Sequence, residues 1–225
     1  MSGIRPQWEL DTRRLYLCTA DRPDLEPFLA ACISGGVDIV QLREKELDDR
    51  ALVERGRLAG AVCADHGVPF ILNDRPDLVA EMGADGVHVG QGDMAPVAAR
   101  SVVGPDALVG LSSHATRELD TAVGGPDGPP APIDYISAGP VTATPTKPGR
   151  PGTGLGYVGE AVARAPWPVW ITGGVAPDTV GAMLEAGARH FVVVRWLTEA
   201  ADPAAHARDL RRAIDEGIER AEARS

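Results

Sequence analysis

The chain is poor in cysteine, short of positive charge and free of long apolar runs, and each shortage excludes something. Three cysteines, Cys18, Cys32 and Cys63, are an odd number without metal-site spacing. That excludes a disulfide framework or a zinc cluster and fits small core residues in a reducing compartment. No run of apolar residues reaches the length of a membrane span, and the first residues lack a signal-peptide pattern. A cytoplasmic location is therefore expected. Lys and Arg number 22 against 32 Asp and Glu, a formal charge of −10. Such a surface repels nucleic acid and anionic membrane, so neither is an expected partner. A site for a phosphorylated small molecule must then be a local cationic exception. No G-x-S-x-G elbow surrounds a serine, which argues against a serine hydrolase. No linker divides the 225 residues, and 44% of them are hydrophobic, enough for one large core.

What the chain has is an alternation. Short apolar runs predict strands at 14–19, 38–42, 69–73, 86–89, 107–112, 134–138, 168–172 and 190–194. Between them lie amphipathic stretches at 24–34, 48–65, 76–82, 94–102, 115–123, 157–164, 177–186 and 203–221. Asp48 stands where an N-cap belongs, Pro177-Asp178 opens another helix, and Gly187 ends it. This α/β pattern predicts a (β/α)8 TIM barrel in a single domain, with an open doubly wound sheet as its rival. Residues 1–13 can add a short N-terminal helix. The Gly/Pro clusters at 124–132 and 148–156 read as loops.

In such a barrel the chemistry sits at the carboxyl ends of the strands. Gln41, Arg43 and Lys45 alternate after the second strand, a spacing that puts them on one face. They are either a solvated strand end or cations held for a multivalent anion such as pyrophosphate. Asn73 and Asp74 follow the third strand; His88, Gln91 and Asp93 accompany the fourth. Both segments have turn-forming sequences, and Asp93 is placed to cap a helix. Together they also offer the oxygen-rich set that Mg²⁺ prefers. Ser112, Ser113 and His114 close the fifth strand. His88 reads most simply as a satisfied core histidine, and His114 as a helix-start residue. Thr144, Thr146 and Lys147 lie in a Gly/Pro-rich loop that is flexible at least and able to close over a phosphate. Gly173 and Gly174 after the seventh strand form either a tight turn or a backbone cradle for a phosphate shared with the eighth.

The ordered series VQLREK, NDR, GADGVHVGQGD, GLSSH, GPVTATPTK and GGV resembles the thiamine phosphate synthase family over roughly residues 14–220. The resemblance implies a (β/α)8 barrel that joins a hydroxymethylpyrimidine diphosphate to a thiazole phosphate and releases pyrophosphate with Mg²⁺. It implies that Gln41 meets the pyrimidine, and that Arg43, Lys45, Asn73, Ser112 and Lys147 hold the diphosphate. Asp74 and Asp93 would ligate Mg²⁺. Thr144, Thr146, Gly173, Gly174, Val194 and Arg195 would hold the thiazole phosphate. The sequence departs from the family at Thr142, usually a larger residue, at Arg195, often serine, and at Thr172. Two relatives of this reading stay open: a thiazole tautomerase-like barrel, which carries a histidine where Pro140 stands, and a non-catalytic thiamine-phosphate-binding regulatory barrel. Association with further copies of the chain also stays open.

Overall fold

The computed structural model describes residues 8–124, 128–143 and 151–224. Eight strands close into a parallel barrel in chain order: β1 Leu15–Thr19, β2 Ile39–Leu42, β3 Phe70–Asn73, β4 Gly86–Val89, β5 Leu108–Ser113, β6 Tyr135–Ala138, β7 Val169–Thr172 and β8 His190–Val193. β8 pairs back onto β1 through Leu15↔Phe191, Tyr16↔Val192 and Leu17↔Val193, so the sheet has no free edge. The open-sheet alternative is thereby excluded.

Closure buries every strand on both faces, which is why the strands read as unbroken apolar runs. Parity then divides each strand. Leu15, Leu17, Val40, Leu42, Phe70, Leu72, Val87, Val89, Val109 and Phe191 face outward into the layer shared with the helices. Tyr16, Cys18, Ile39, Ile71, Leu108, Tyr135, Trp170 and Val192 fill the bore, with Leu10 closing it from below. Leu10 belongs to a single 3-10 turn, Leu10–Thr12.

The helices are α1 Leu25–Ser34, α2 Asp49–Asp65, α3 Val79–Met82, α4 Pro96–Val103, α5 Thr116–Val123, α6 Gly154–Arg164, α7 Val180–Glu185, α8 Arg195–Thr198 and α9 Pro203–Glu222. Asp48 caps α2 as expected, its carboxylate accepting from Ala51 N at 2.8 Å. Pro177-Asp178 does not open α7. Thr179 is the residue before the helix, and its hydroxyl accepts from Ala176 N at 3.0 Å while donating to Gly174 O at 2.6 Å. That polar turn holds residues 174–179 out of the helix. Asp93 does not cap α4 either, because Ala95 precedes the helix. Short α8 went unanticipated, since four residues carry no readable period. Among the described residues no helix is long and apolar enough to cross a membrane.

Candidate functional site

The carboxyl ends of the strands open into a cavity of about 790 Å³. Its floor is polar. Gln41 and Asn73 are the last inward residues of β2 and β3, each more than nine-tenths buried. The Gln41 amide Nε2 donates to Asn73 Oδ1 at 3.2 Å. That bond leaves the Gln41 carbonyl as the acceptor available to a ligand's N–H.

Strand β2 ends at Leu42, so the even alternation through Arg43 and Lys45 is not a strand pattern, contrary to the sequence expectation. The chain turns instead around Glu44, whose carboxylate accepts from the backbone N of Asp21, Lys45 and Glu46. Partial burial opposes ionisation there, but the three donors prevail and hold the Glu44 carboxyl below its usual range. This turn still delivers Arg43 and Lys45 to the same cavity wall as Gln41.

Lys45 Nζ meets Asp74 Oδ2 at 2.9 Å. Asp74 takes a left-handed backbone conformation, φ 61°, which aspartate tolerates better than most side chains. Its N–H stays bound to His88 O at 2.9 Å, so the bend sends the side chain over the barrel mouth while the backbone remains tied to β4. Asp93 reaches the same place from the β4 loop. Its carboxylate accepts from Gly90 N at 2.9 Å, folding residues 90–93 into a turn. Partial burial, and next a hydrogen bond to the Asp74 carboxyl, push the Asp93 carboxyl above its ordinary range; the Gly90 N–H and Lys45 oppose the shift. Two carboxyl groups therefore crowd one another beside a single ammonium. A divalent cation relieves that repulsion. Among the described residues no group of three or more His, Cys, Asp and Glu forms a metal cage. The donor set is that of a hard ion held by one or two carboxylates, with waters and phosphate oxygens filling its other positions, which fits Mg²⁺.

On the adjoining strand, Ser112 ends the inward series of β5. His88 Nε2 lies 2.9 Å from its Oγ, and Gln91 Nε2 donates to its carbonyl at 2.7 Å. His88 is a satisfied buried histidine, as expected, but it is also part of the cavity wall. His114 does not act as a helix cap. Its ring contacts Gly139 O, and its own N–H donates to Glu118 at 2.7 Å. Gly173 and Gly174 have φ of 91° and 78°. A side chain at Gly173 would lie 2.6 Å from Pro140 Cα, and one at Gly174 would collide with the Thr142 hydroxyl. Glycine here lets the β7 loop lie directly against the β6 loop. Val194, the residue before α8, and Arg195, its first, complete the cavity wall.

A family model described as thiamine monophosphate synthase matches residues 15–197. The chain belongs to that family. The thiamine-phosphate synthase of Thermobifida fusca is 44% identical over 209 residues, covering 91% of this chain and 94% of the relative. That of Thermus thermophilus is 44% identical over 206 residues, covering 88% and 95%. Among solved structures, the thiamine phosphate pyrophosphorylase of Pyrococcus furiosus superposes with a TM-score of 0.79 at 25% identity, covering 91% of this chain and 96% of that one. A 3-hexulose-6-phosphate synthase, at 21% identity and a TM-score of 0.64, shares the fold.

In this thiamine monophosphate synthase family member, Gln41, Arg43, Lys45, Asn73, Asp74, Asp93, Ser112, Gly173, Gly174, Val194 and Arg195 all border one cavity. Thr144, Thr146 and Lys147 lie outside the described residues. Sequence reasoning missed Cys18, Ser137 and Val192 in the same wall. Each is an inward residue of its strand, so parity applied to all eight strands would have found them. It also missed Trp196, Glu199 and His206, which come from α8, the loop after it and α9.

Proposed function

We propose that the protein is a thiamine phosphate synthase, a transferase that condenses 4-amino-2-methyl-5-hydroxymethylpyrimidine diphosphate with 4-methyl-5-hydroxyethylthiazole phosphate. The products are thiamine phosphate and pyrophosphate. The observation that supports this most is the meeting of Arg43, Lys45, Asp74 and Asp93 at the mouth of a molecule whose formal charge is −10. Membership of the family gives the reaction class.

The residues divide the work by their chemistry. The Gln41 carbonyl accepts from the amino group of the pyrimidine, and Asn73 holds Gln41 in that orientation. Arg43, Lys45, Ser112 and Lys147 bind the diphosphate as donors and fixed positive charge. Asp74 and Asp93 would hold Mg²⁺, which supplies neutralisation of charge on the diphosphate oxygens. Thr144, Thr146, the backbone N–H groups at Gly173 and Gly174, Val194 and Arg195 receive the thiazole phosphate. The bond between the pyrimidine methylene carbon and the diphosphate oxygen breaks first, and its electron pair leaves with pyrophosphate. The aminopyrimidine spreads the positive charge left on carbon. The thiazole nitrogen then donates its lone pair to form the new C–N bond. That nitrogen carries no proton, so the step needs no general base. The catalytic effort goes into the leaving group, where fixed cations act on charge that develops only as the bond breaks.

Both substrates are small molecules. The net acidic charge argues against nucleic acid and anionic membrane as partners, and the proposed reaction on small metabolites is one of the cytoplasm. Incubation with both substrates and Mg²⁺ should yield equal amounts of pyrophosphate and thiamine phosphate, read by a coupled assay and by mass. A thiazole isomerised without pyrophosphate release, or bound thiamine phosphate without turnover, would reject the proposal.

A further inference from the structure

Four buried polar side chains from four different strands touch in sequence through the bore. Tyr16 Oη on β1 lies 3.0 Å from Tyr135 Oη on β6. Tyr135 Oη lies 3.2 Å from His88 Nδ1 on β4. His88 Nε2 lies 2.9 Å from Ser112 Oγ on β5. All four are more than nine-tenths buried, and only the Ser112 and His88 end reaches the cavity. Between β4 and β6 stands β5, where Gly110 pairs with both His88 and Tyr135. Any side chain at Gly110 would occupy the space of the Tyr135 ring and hydroxyl. Glycine there is what opens the path between the phenol and the imidazole.

Counting protons along this path decides its direction. Burial above all raises the pKa of both phenols, so each keeps its O–H. With a neutral imidazole at His88, the chain can then run two ways. If Ser112 donates to His88, the imidazole donates to Tyr135 and Tyr135 donates to Tyr16. The Tyr16 proton is then left over, and among the described residues its hydroxyl meets only that of Tyr135. Around it stand Ile39, Ile71, Leu108, Cys18, whose sulfur is a weak acceptor at best, and Trp170, whose buried Nε1–H can only donate. A buried donor without an acceptor is costly, whereas a spare lone pair is cheap. The reverse direction uses every buried proton along the path: Tyr16 donates to Tyr135, Tyr135 to His88 Nδ1, and His88 Nε2–H to Ser112 Oγ. The Ser112 proton is then the one left over, and Ser112 stands at the cavity, where a ligand oxygen can accept it.

We infer that Tyr16, Tyr135 and His88 form a one-way hydrogen-bonded chain that fixes the Nε2–H tautomer of His88 and makes Ser112 an obligate donor to the anion at the barrel mouth. This rests on the synthase reading for the identity of that anion, the diphosphate. His88 and Tyr135 are positioning residues in this account: they touch no reacting atom and act through the serine.

Long-range ¹H–¹⁵N spectra of the ligand-free protein labelled with [¹⁵N]histidine test the inference, with His88 assigned by loss of its signals in His88→Gln. The wild-type protein should show the Nε2–H pattern, a reading that depends on no variant folding. Tyr135→Phe, which removes only the hydroxyl, should release the ring into a tautomer mixture. The same variant should lower kcat for pyrophosphate release about tenfold, the worth of one oriented hydrogen bond. That loss should disappear in a Ser112→Ala background, because both changes act on the same proton. An Nδ1–H ring in an active wild-type enzyme, or fully additive effects of Tyr135→Phe and Ser112→Ala, overturns the inference and leaves the synthase reading intact. Absence of pyrophosphate release by the wild type overturns that reading itself.

Discussion

Replacing Gly110 by alanine adds one methyl group, and the structure says where it must go. The new Cβ would lie 2.5 Å from Tyr135 Cε2 and closer still to Cζ and the hydroxyl, against 3.4–4 Å for ordinary contact. The ring therefore has to retreat by about 1 Å or β5 has to move. Retreat is blocked by edge contacts to Tyr16 and Trp170, with ring centroids at 6.0 and 6.5 Å. Movement of β5 is opposed by its pairing on both sides, to β4 and β6. Overpacking of this kind costs about 1–3 kcal/mol. In a domain of this size each kcal/mol lowers Tm by about 2–4 °C, so the expected loss is about 2–12 °C. The same displacement carries the Tyr135 hydroxyl, now 3.2 Å from His88 Nδ1, out of hydrogen-bond range, and turnover should fall with stability. Gly181→Ala is the control of opposite sign. It lies in α7 with nothing within 4 Å of its added Cβ and should gain about 0.5–1 kcal/mol. Calorimetry and a pyrophosphate-release assay on both variants suffice. A Gly110→Ala protein that melts at or above the wild-type temperature would refute the packing argument.

Lys147→Ala should lower kcat roughly 10²–10³-fold with Tm unchanged, the effect of losing one positioned donor to a developing charge; an unchanged kcat would count against its role on the diphosphate. Asp38→Ala should cost about 2–4 kcal/mol in urea unfolding, since its carboxylate joins Arg14 N, Leu15 N and Arg211 at 2.8–2.9 Å and ties β1, β2 and α9 together at the foot of the barrel. His190 gives a pH dependence. Burial chiefly holds its pKa below the ordinary 6.5, partly offset by its contact with Arg13 O, so the unfolded chain binds the proton more readily. Its contribution to stability should be complete above about pH 6.5 and be lost as pH falls from there through the folded-state value. The drop in Tm between pH 8 and 5 should be smaller in His190→Gln, and equal drops would exclude this assignment.

The strands were legible in the sequence because barrel closure buries them on both faces, and an unbroken apolar run bounded by turn residues survives any ambiguity of period. Val40 and Leu42 face the helices while Ile39 and Gln41 face the bore, so the same run carried both the core and the floor of the cavity. Helix starts were less legible. Pro177-Asp178 looks like a cap, yet the Thr179 hydroxyl builds a tighter turn that no composition rule separates from it. Arg43 and Lys45 were gathered for a reason that does not hold, strand alternation, and reach the cavity through the Glu44 turn instead. The left-handed Asp74 and the Asp74–Asp93 approach depend on backbone geometry spread over two loops, which sequence spacing does not encode. The path from Tyr16 to Ser112 joins residues up to 119 positions apart and becomes visible only once the barrel closes.

The central claim is that two carboxylates and neighbouring cations at one mouth of an acidic barrel bind a diphosphate together with a divalent ion. Calorimetric titration of inorganic pyrophosphate, with and without Mg²⁺, tests it most directly. The account predicts heat of binding in the wild-type protein with Mg²⁺, little without it, and none in Asp74→Asn/Asp93→Asn even with the metal. Equal pyrophosphate affinity in all three measurements would contradict it.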